Sequence, residues 1–187
     1  LTHRTACPYR GTKNKNLMPP APASAASSSG MGEQLRVQPP TSAGMDGSGT
    51  GRRRRVAIFG GSFDPITNAH LNCCAELIHC KCADEAWPVP CGPRPDKPSL
   101  KTPAMHRLLM CHLAVSTTFS GTFPLFVIDI EVHQPRAIPT YDLMARLRKE
   151  HPDVELVFVI GSDLLRSLPS WENGARLMEE FHFIVME

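Results

Sequence analysis

The run Gly60-Gly61-Ser62-Phe63-Asp64-Pro65-Ile66-Thr67-Asn68-Ala69-His70 constrains what this chain can fold into more than any other segment. Val56 to Phe59, just before it, is short, apolar and β-rich, the composition of a buried parallel strand. After it, Leu71, Cys74, Ala75 and Ile78 recur at the spacing of an amphipathic helix. A strand, a glycine pair, a proline turn and a helix start therefore follow one another directly. Two glycines at a strand end let a phosphate approach the backbone without meeting a Cβ. A helix start adds free N–H groups and the positive end of the dipole. His70 falls in the first helical turn, where its ring can reach the same anion. The segment reads as a nucleotide-phosphate site. It is not the dinucleotide fingerprint of dehydrogenases, because no G-x-G-x-x-G follows the strand.

The rest of the chain continues the alternation. Strands are expected at Ala83–Val89, Leu125–Val132, Val154–Ile160 and Phe183–Met186. Helices are expected at Ala104–Val115, Tyr141–Lys149 and Asn173–Glu180, the first capped by Thr102 with Pro103 at its first position. In that helix Met105, Leu108, Leu109, His112 and Leu113 carry the helical spacing. The pattern predicts an α/β fold, a Rossmann-like doubly wound parallel sheet. Such sheets bind ligands at the carboxyl ends of their strands, where the strand order reverses. Gly60 to His70, Cys91 to Lys101 and Gly161 to Trp171 all follow strand ends and should converge on one crevice.

Charge divides the 187 residues into two parts. Residues 1–55 hold nine Lys or Arg against Glu33 and Asp46, whereas the remainder holds eleven basic and sixteen acidic side chains. The first 52 residues are rich in Pro, Ser, Ala and Gly and show no period, so they are expected to be a disordered N-terminal extension to a domain at 53–187. The extension is acid-poor like a transit peptide yet lacks an amphipathic stretch, and Arg52 to Arg55 read as a solvated run more readily than as a nuclear signal. It has no aromatic but Tyr9, which ranks nucleic-acid binding low. No run of about 18 apolar residues occurs, so no membrane span is expected. Seven cysteines with no secretory signal point to reduced thiols in the cytosol or nucleus. Organellar targeting by the extension is left open. His79, Cys80, Cys82 and Cys91 lack zinc-ligand spacing, and no metal site is expected there. The chain opens on Leu1 rather than Met, which leaves its true start open.

Gly60 to His70 resembles the G-[ST]-F-[DN]-P-x-[HT]-x-x-H signature of the nucleotidyltransferase superfamily, with Thr67 and His70 at the ends of the H/T-x-x-H element. Downstream segments narrow the resemblance to nicotinamide/nicotinate mononucleotide adenylyltransferases. Val89-Pro90 with Lys97, then His106-Arg107-Leu108 and Leu113-Ala114, is similar to that family's P-x(n)-K…HR…LA segment. Asp129-Ile130-Glu131 with Thr140-Tyr141-Asp142-Leu143-Met144 resembles its D-x-E…T-x-D-T-L element in diverged form. Val159 to Leu165 and Leu168 to Trp171 resemble its IG[AS]D-x-L…LPxW block. Read without the family, Asp163 is a ligand acceptor or a cap, Trp171 a pyridine platform or a core ring, and Lys97 a phosphate ligand or a solvated lysine. Arg107 reads as an anchor for the loop beside it.

The resemblance implies adenylyl transfer from ATP to nicotinamide or nicotinate mononucleotide, giving NAD or deamido-NAD and pyrophosphate. His70 and Thr67 would be catalytic. Gly61, Ser62, Phe63, Lys97, Thr140, Gly161, Asp163 and Trp171 would bind substrate, and Mg²⁺ would be carried by ATP with no protein ligand. Homo-oligomers are common in the family. A phosphopantetheine-type adenylyltransferase shares the opening loop, but Gly161-Ser162-Asp163 with Trp171 speaks against it. The family also has a second phosphate motif, S-[ST]-T-x-[IL]-R, beyond the last strand. No such run occurs before Glu187, so the chain is expected to be a fragment or incomplete gene model. The alternative is a shortened, non-catalytic nucleotide-binding relative. Acid or amide preference stays open.

Overall fold

The computed structural model describes Thr5–Ala6 and residues 52–187. Strand β2 (Arg54–Gly61) lies inside the sheet. It pairs in parallel with β3 (Glu85–Pro90) on one side and with β4 (Val154–Gly161) on the other. β4 pairs with β5 (His182–Met186), and the two-residue β1 (Thr5–Ala6) lies outside β5, all in parallel. The order is β1-β5-β4-β2-β3. Thr5 and Ala6 fall within the extension expected to be disordered; the rest of that expectation, from residue 7 to 51 and 1 to 4, lies outside the described residues.

Alternate side chains of each strand enter opposite layers, as the two-residue strand period requires. Val56, Ile58, Trp87, Phe158 and Ile160 meet Met144 and Leu147 of α3 (Thr140–Glu150) and Leu177 of α4 (Gly174–Glu180). Ala57, Ala86, Val157 and Val159 meet Cys74 and Leu77 of α1 (Asn68–His79), with Val115 of α2 (Ala104–Thr118) packed beside them. Because both faces are covered, β3 and β4 can be apolar almost throughout. Glu85, the exception in β3, is buried but receives Arg54 at 2.8 Å and the Trp87 indole N–H at 2.9 Å.

From β2 the chain steps out to β3 and then crosses to the far side of β2 as β4. That reversal leaves a crevice between the carboxyl ends of β2 and β4.

Leu125–Val132 is not a strand of the sheet. It runs beside β3 and makes a single bridge, Ala86 to Leu125. Ala86 N–H donates to the Pro124 carbonyl, and Ala86 and Pro88 carbonyls accept from Phe126 and Ile128 at 3.0 and 2.9 Å. The donors that should continue this ladder belong to Pro88 and Pro90, which have none. At the start of α2, Pro103 rather than Thr102 holds the N-cap position. The apolar spacing of α2 is present, but its buried side is Arg107, Leu108 and Cys111, while Met105, Leu109 and Leu113 are exposed.

Candidate functional site

A cleft of about 740 Å³ opens at the reversal of strand order. Its lining includes Phe59 to Ser62 at the end of β2, Cys91 after β3, and Phe158 to Gly161 at the end of β4. Of the residues singled out in the sequence, Gly61, Ser62, Lys97, Thr140, Gly161, Asp163 and Trp171 share this lining. Phe63, Thr67 and His70 do not; they cluster directly behind it. The Phe63 ring is buried, lies edge-on to His70 (5.2 Å, 88°) and sits 5.7 Å from Phe59. A Cβ on Gly61 would come within 2.8 Å of that ring, so glycine is required there for close packing. Phe63 itself takes a left-handed φ of 46°, which turns the chain sharply from strand toward helix.

Thr67 is the N-cap of α1 and His70 its third helical residue. The Thr67 N–H donates to His70 Nδ1 at 3.0 Å, and Thr67 Oγ1 lies 2.9 Å from the same nitrogen. An Nδ1 that accepts a backbone N–H carries no proton, so the neutral ring holds its hydrogen on Nε2. Partial burial lowers the His70 pKa, which favours that neutral form. Thr67 thus fixes His70 as an Nε2–H donor at the start of the helix.

One buried side chain ties the cleft walls together. Arg107, 1% exposed, donates to the Ser62 and Cys91 carbonyls at 2.6 Å each, to Thr102 O at 3.1 Å and to Gly92 O at 3.3 Å. Its remaining contact is Cys91 Sγ at 3.4 Å. The loop after β2 and the loop after β3 are therefore fastened to α2 by one guanidinium. Gly92 completes the junction, since a Cβ there would run into the Glu131 carbonyl while its N–H donates to Glu131 Oε2 at 3.3 Å. Burial pushes the Glu131 carboxyl up from its ordinary value, against the opposing pull of the Gly92 N–H, Arg94 and Arg107.

On the opposite wall the Asp163 carboxylate folds back over Gly161, where any Cβ would collide with it. Trp171 follows a short turn, Leu168–Ser170; its indole N–H donates at 3.2 Å to Oγ of Ser167, the residue before that turn, and Phe158 meets the ring edge-on at 6.4 Å. The ring is half-buried and lines the cleft. Thr140 enters as the first residue of α3. Lys97 approaches Ser62 Oγ at 3.4 Å across the cleft mouth. Arg94, Asp96 and Glu131 also line the cleft without a site role expected from the sequence; the signals available were the segment after β3 for Arg94 and Asp96, and the Asp129-Ile130-Glu131 element for Glu131. Among the described residues no three His, Cys, Asp or Glu side chains are grouped to hold a metal, and no helix is long and apolar enough to cross a membrane.

A glycine-rich strand end beside a helix start, facing an aromatic ring across the reversal of a parallel sheet, defines a nucleotide-binding α/β domain. The chain belongs to the cytidylyltransferase-like family, which matches residues 58–187. A Halalkalibacterium halodurans protein named "Probable nicotinate-nucleotide adenylyltransferase" is 36% identical over 133 residues, 70% of this chain and 62% of that protein. The nicotinate-nucleotide adenylyltransferase of Bacillus subtilis is 33% identical over 132 residues, 70% of this chain and 68% of its own length. The Plasmodium falciparum nicotinic acid mononucleotide adenylyltransferase complexed with NaAD superposes with a TM-score of 0.62 at 34% identity, covering 71% of this chain and 63% of that one. The chain thus spans about 62 to 68% of the length of these curated relatives.

Two measurements check this geometry. Arg107→Met leaves several buried carbonyls without their donor and should lower the urea-unfolding free energy by about 3 kcal/mol or more. Arg148→Ala, at an exposed pair with Glu180, should cost less than about 1 kcal/mol. Equal costs would contradict the clamp. Long-range proton–nitrogen NMR should show neutral His70 protonated on Nε2 at pH 7, with a midpoint below its ordinary 6.5. The folded chain then binds that proton less tightly than the unfolded chain. Its stabilisation is complete above 6.5 and is lost as pH falls through the folded value.

Proposed function

We propose that the cleft binds ATP and nicotinate or nicotinamide mononucleotide and transfers the adenylyl group between them, giving deamido-NAD or NAD and pyrophosphate. One observation carries the reading: the Gly60–Ser62 strand end, the Gly161–Asp163 turn and the Trp171 ring share one cleft. It stands in a chain whose relatives are named nicotinate-nucleotide adenylyltransferases.

The 5′-phosphate of the mononucleotide attacks the α-phosphorus of ATP in line. A new phosphorus–oxygen bond forms as the bond to the bridging oxygen breaks, and pyrophosphate leaves with the electron pair. The attacking phosphate is already an anion at neutral pH, so neither a covalent intermediate nor a general base is required. Catalysis is positioning together with stabilisation of charge on the phosphoryl oxygens. His70 supplies its Nε2–H to those oxygens, and Thr67 keeps the ring in the donating tautomer. The backbone of Gly61, Ser62 and Phe63 cradles the bridging phosphates. Lys97 meets a phosphate as a point charge, Asp163 and Thr140 offer polar contacts to the mononucleotide, and Trp171 stacks on the pyridine. Adenylyl transfer from ATP generally uses a divalent metal. We take it to be Mg²⁺ carried on the ATP oxygens, which lowers the repulsion between the two anionic substrates.

Chromatography of reactions containing the chain, ATP, Mg²⁺ and each mononucleotide tests this directly. Product should form and should fall about 100-fold or more with His70→Ala, the loss expected for one donor to transition-state charge. Trp171→Ala should chiefly raise the mononucleotide KM, by about tenfold. Absence of product from the folded chain, or an undiminished rate in His70→Ala, would contradict the proposal.

A further inference from the structure

Arg94 and Asp96 both line the cleft, and they hold each other by two points. Arg94 Nε donates to Asp96 Oδ1 at 2.8 Å, and Nη2 donates to Oδ2 at 2.6 Å. This fork is the one a guanidinium presents to a planar carboxylate or to two oxygens of a phosphate. The other charged lining residues are Lys97, Glu131, Asp163 and Glu172, so carboxylates outnumber cations. An anionic ligand has two cations to meet there. Lys97 leans toward Ser62 and the phosphate loop. Arg94 hangs from the loop after β3, and the Nε–Nη2 edge of its guanidinium is turned to Asp96. The Asp96 side chain is 57% exposed, against 33% for Arg94. Asp96 can therefore return to water with little loss, while Arg94 stays over the cleft. Hydrogen bonding to Arg94 holds the Asp96 carboxyl down to about 2, so the pair remains ionised through the neutral range.

Building on the adenylyl-transfer reading, we propose that Arg94 receives an oxyanion of the mononucleotide, and that Asp96 is an internal stand-in which the substrate displaces. Two oxyanions have the required shape. One is the ring carboxylate, present on nicotinate mononucleotide and absent from the amide. The other is the 5′-phosphate, common to both. The exchange is isosteric: one bidentate pair is given up and another is made. Arg94 thus contributes affinity, and selectivity for the acid where the oxyanion is the ring carboxylate, while Asp96 competes with the ligand for the same fork. A surface pair of this kind opposes binding by no more than about fivefold.

Isothermal titration of nicotinate mononucleotide and nicotinamide mononucleotide into the unaltered chain, Arg94→Gln and Asp96→Asn tests the assignment, with thermal unfolding as the check on folding. Arg94→Gln should weaken binding about tenfold or more, the worth of a charge-assisted pair. Asp96→Asn should strengthen the same binding by about two- to fivefold. A loss confined to the acid assigns Arg94 to the ring carboxylate; an equal loss for both assigns it to the phosphate. Affinities within about twofold of the unaltered chain for both ligands in folded Arg94→Gln would overturn this inference and leave the adenylyl-transfer reading standing. Failure of the unaltered chain to bind either mononucleotide would overturn both.

Discussion

Arg107 is closed off from water, and each of its N–H groups must therefore find an acceptor within the protein. It finds them on the Ser62, Cys91, Gly92 and Thr102 carbonyls and the Cys91 sulfur. These acceptors belong to the segment after β2, the segment after β3 and the approach to α2. Backbone carbonyls are neutral, so the guanidinium keeps its charge without a direct ionic partner and depends on the number and fit of its hydrogen bonds. A glycine at 92 and the Glu131 carboxylate close the same junction from the other side. The cleft inherits its shape from this arrangement. The Cys91 N–H also donates to the Gly61 carbonyl at 2.9 Å, so loss of the guanidinium would remove the side-chain part of this support and leave the Ser62, Gly92 and Thr102 carbonyls without that donor.

The electrostatics of the cleft are not those of a simple basic pocket. Carboxylates from Asp96, Glu131, Asp163 and Glu172 line the cleft together with Arg94 and Lys97. The proposed attraction of a polyphosphate then rests on directed groups: backbone N–H groups at the strand end, the start of α1 and a histidine hydrogen aimed by Thr67. The reversal of strand order places the β2 strand end opposite the Trp171 wall, with Thr67 and His70 behind the lining. A ligand with an anionic part and a flat aromatic end matches that division of labour.

Much of this was legible in the residues. Gly60 to His70 carried strand end, turn and helix start in unbroken order, and each local preference agreed with the next. Val154 to Ile160 was equally plain, being β-branched and followed at once by Gly161. The reading of Leu125–Val132 as a strand failed for a reason in another segment: Pro88 and Pro90 remove the donors its ladder needs. In α2, spacing gave the period without the phase, and the burial of Arg107 turned Met105, Leu109 and Leu113 outward. Arg107 was read as a loop anchor, but its grip on Ser62, 45 positions away, depends on tertiary proximity that spacing does not encode. The same holds for Arg94 and Asp96. Their charges were visible, whereas their pairing and their place in the lining come from where the β3 loop ends up.

The central claim is that one cleft holds the phosphates at the β2–α1 junction and the pyridine at Trp171. Crystals of the chain grown with deamido-NAD address it most directly. The account predicts the pyrophosphate against Gly60 to Ser62 with one oxygen in hydrogen-bond reach of His70 Nε2, and the pyridine ring on Trp171. A dinucleotide bound elsewhere, or one whose pyridine lies away from Trp171 while its phosphates miss the β2–α1 junction, would contradict it.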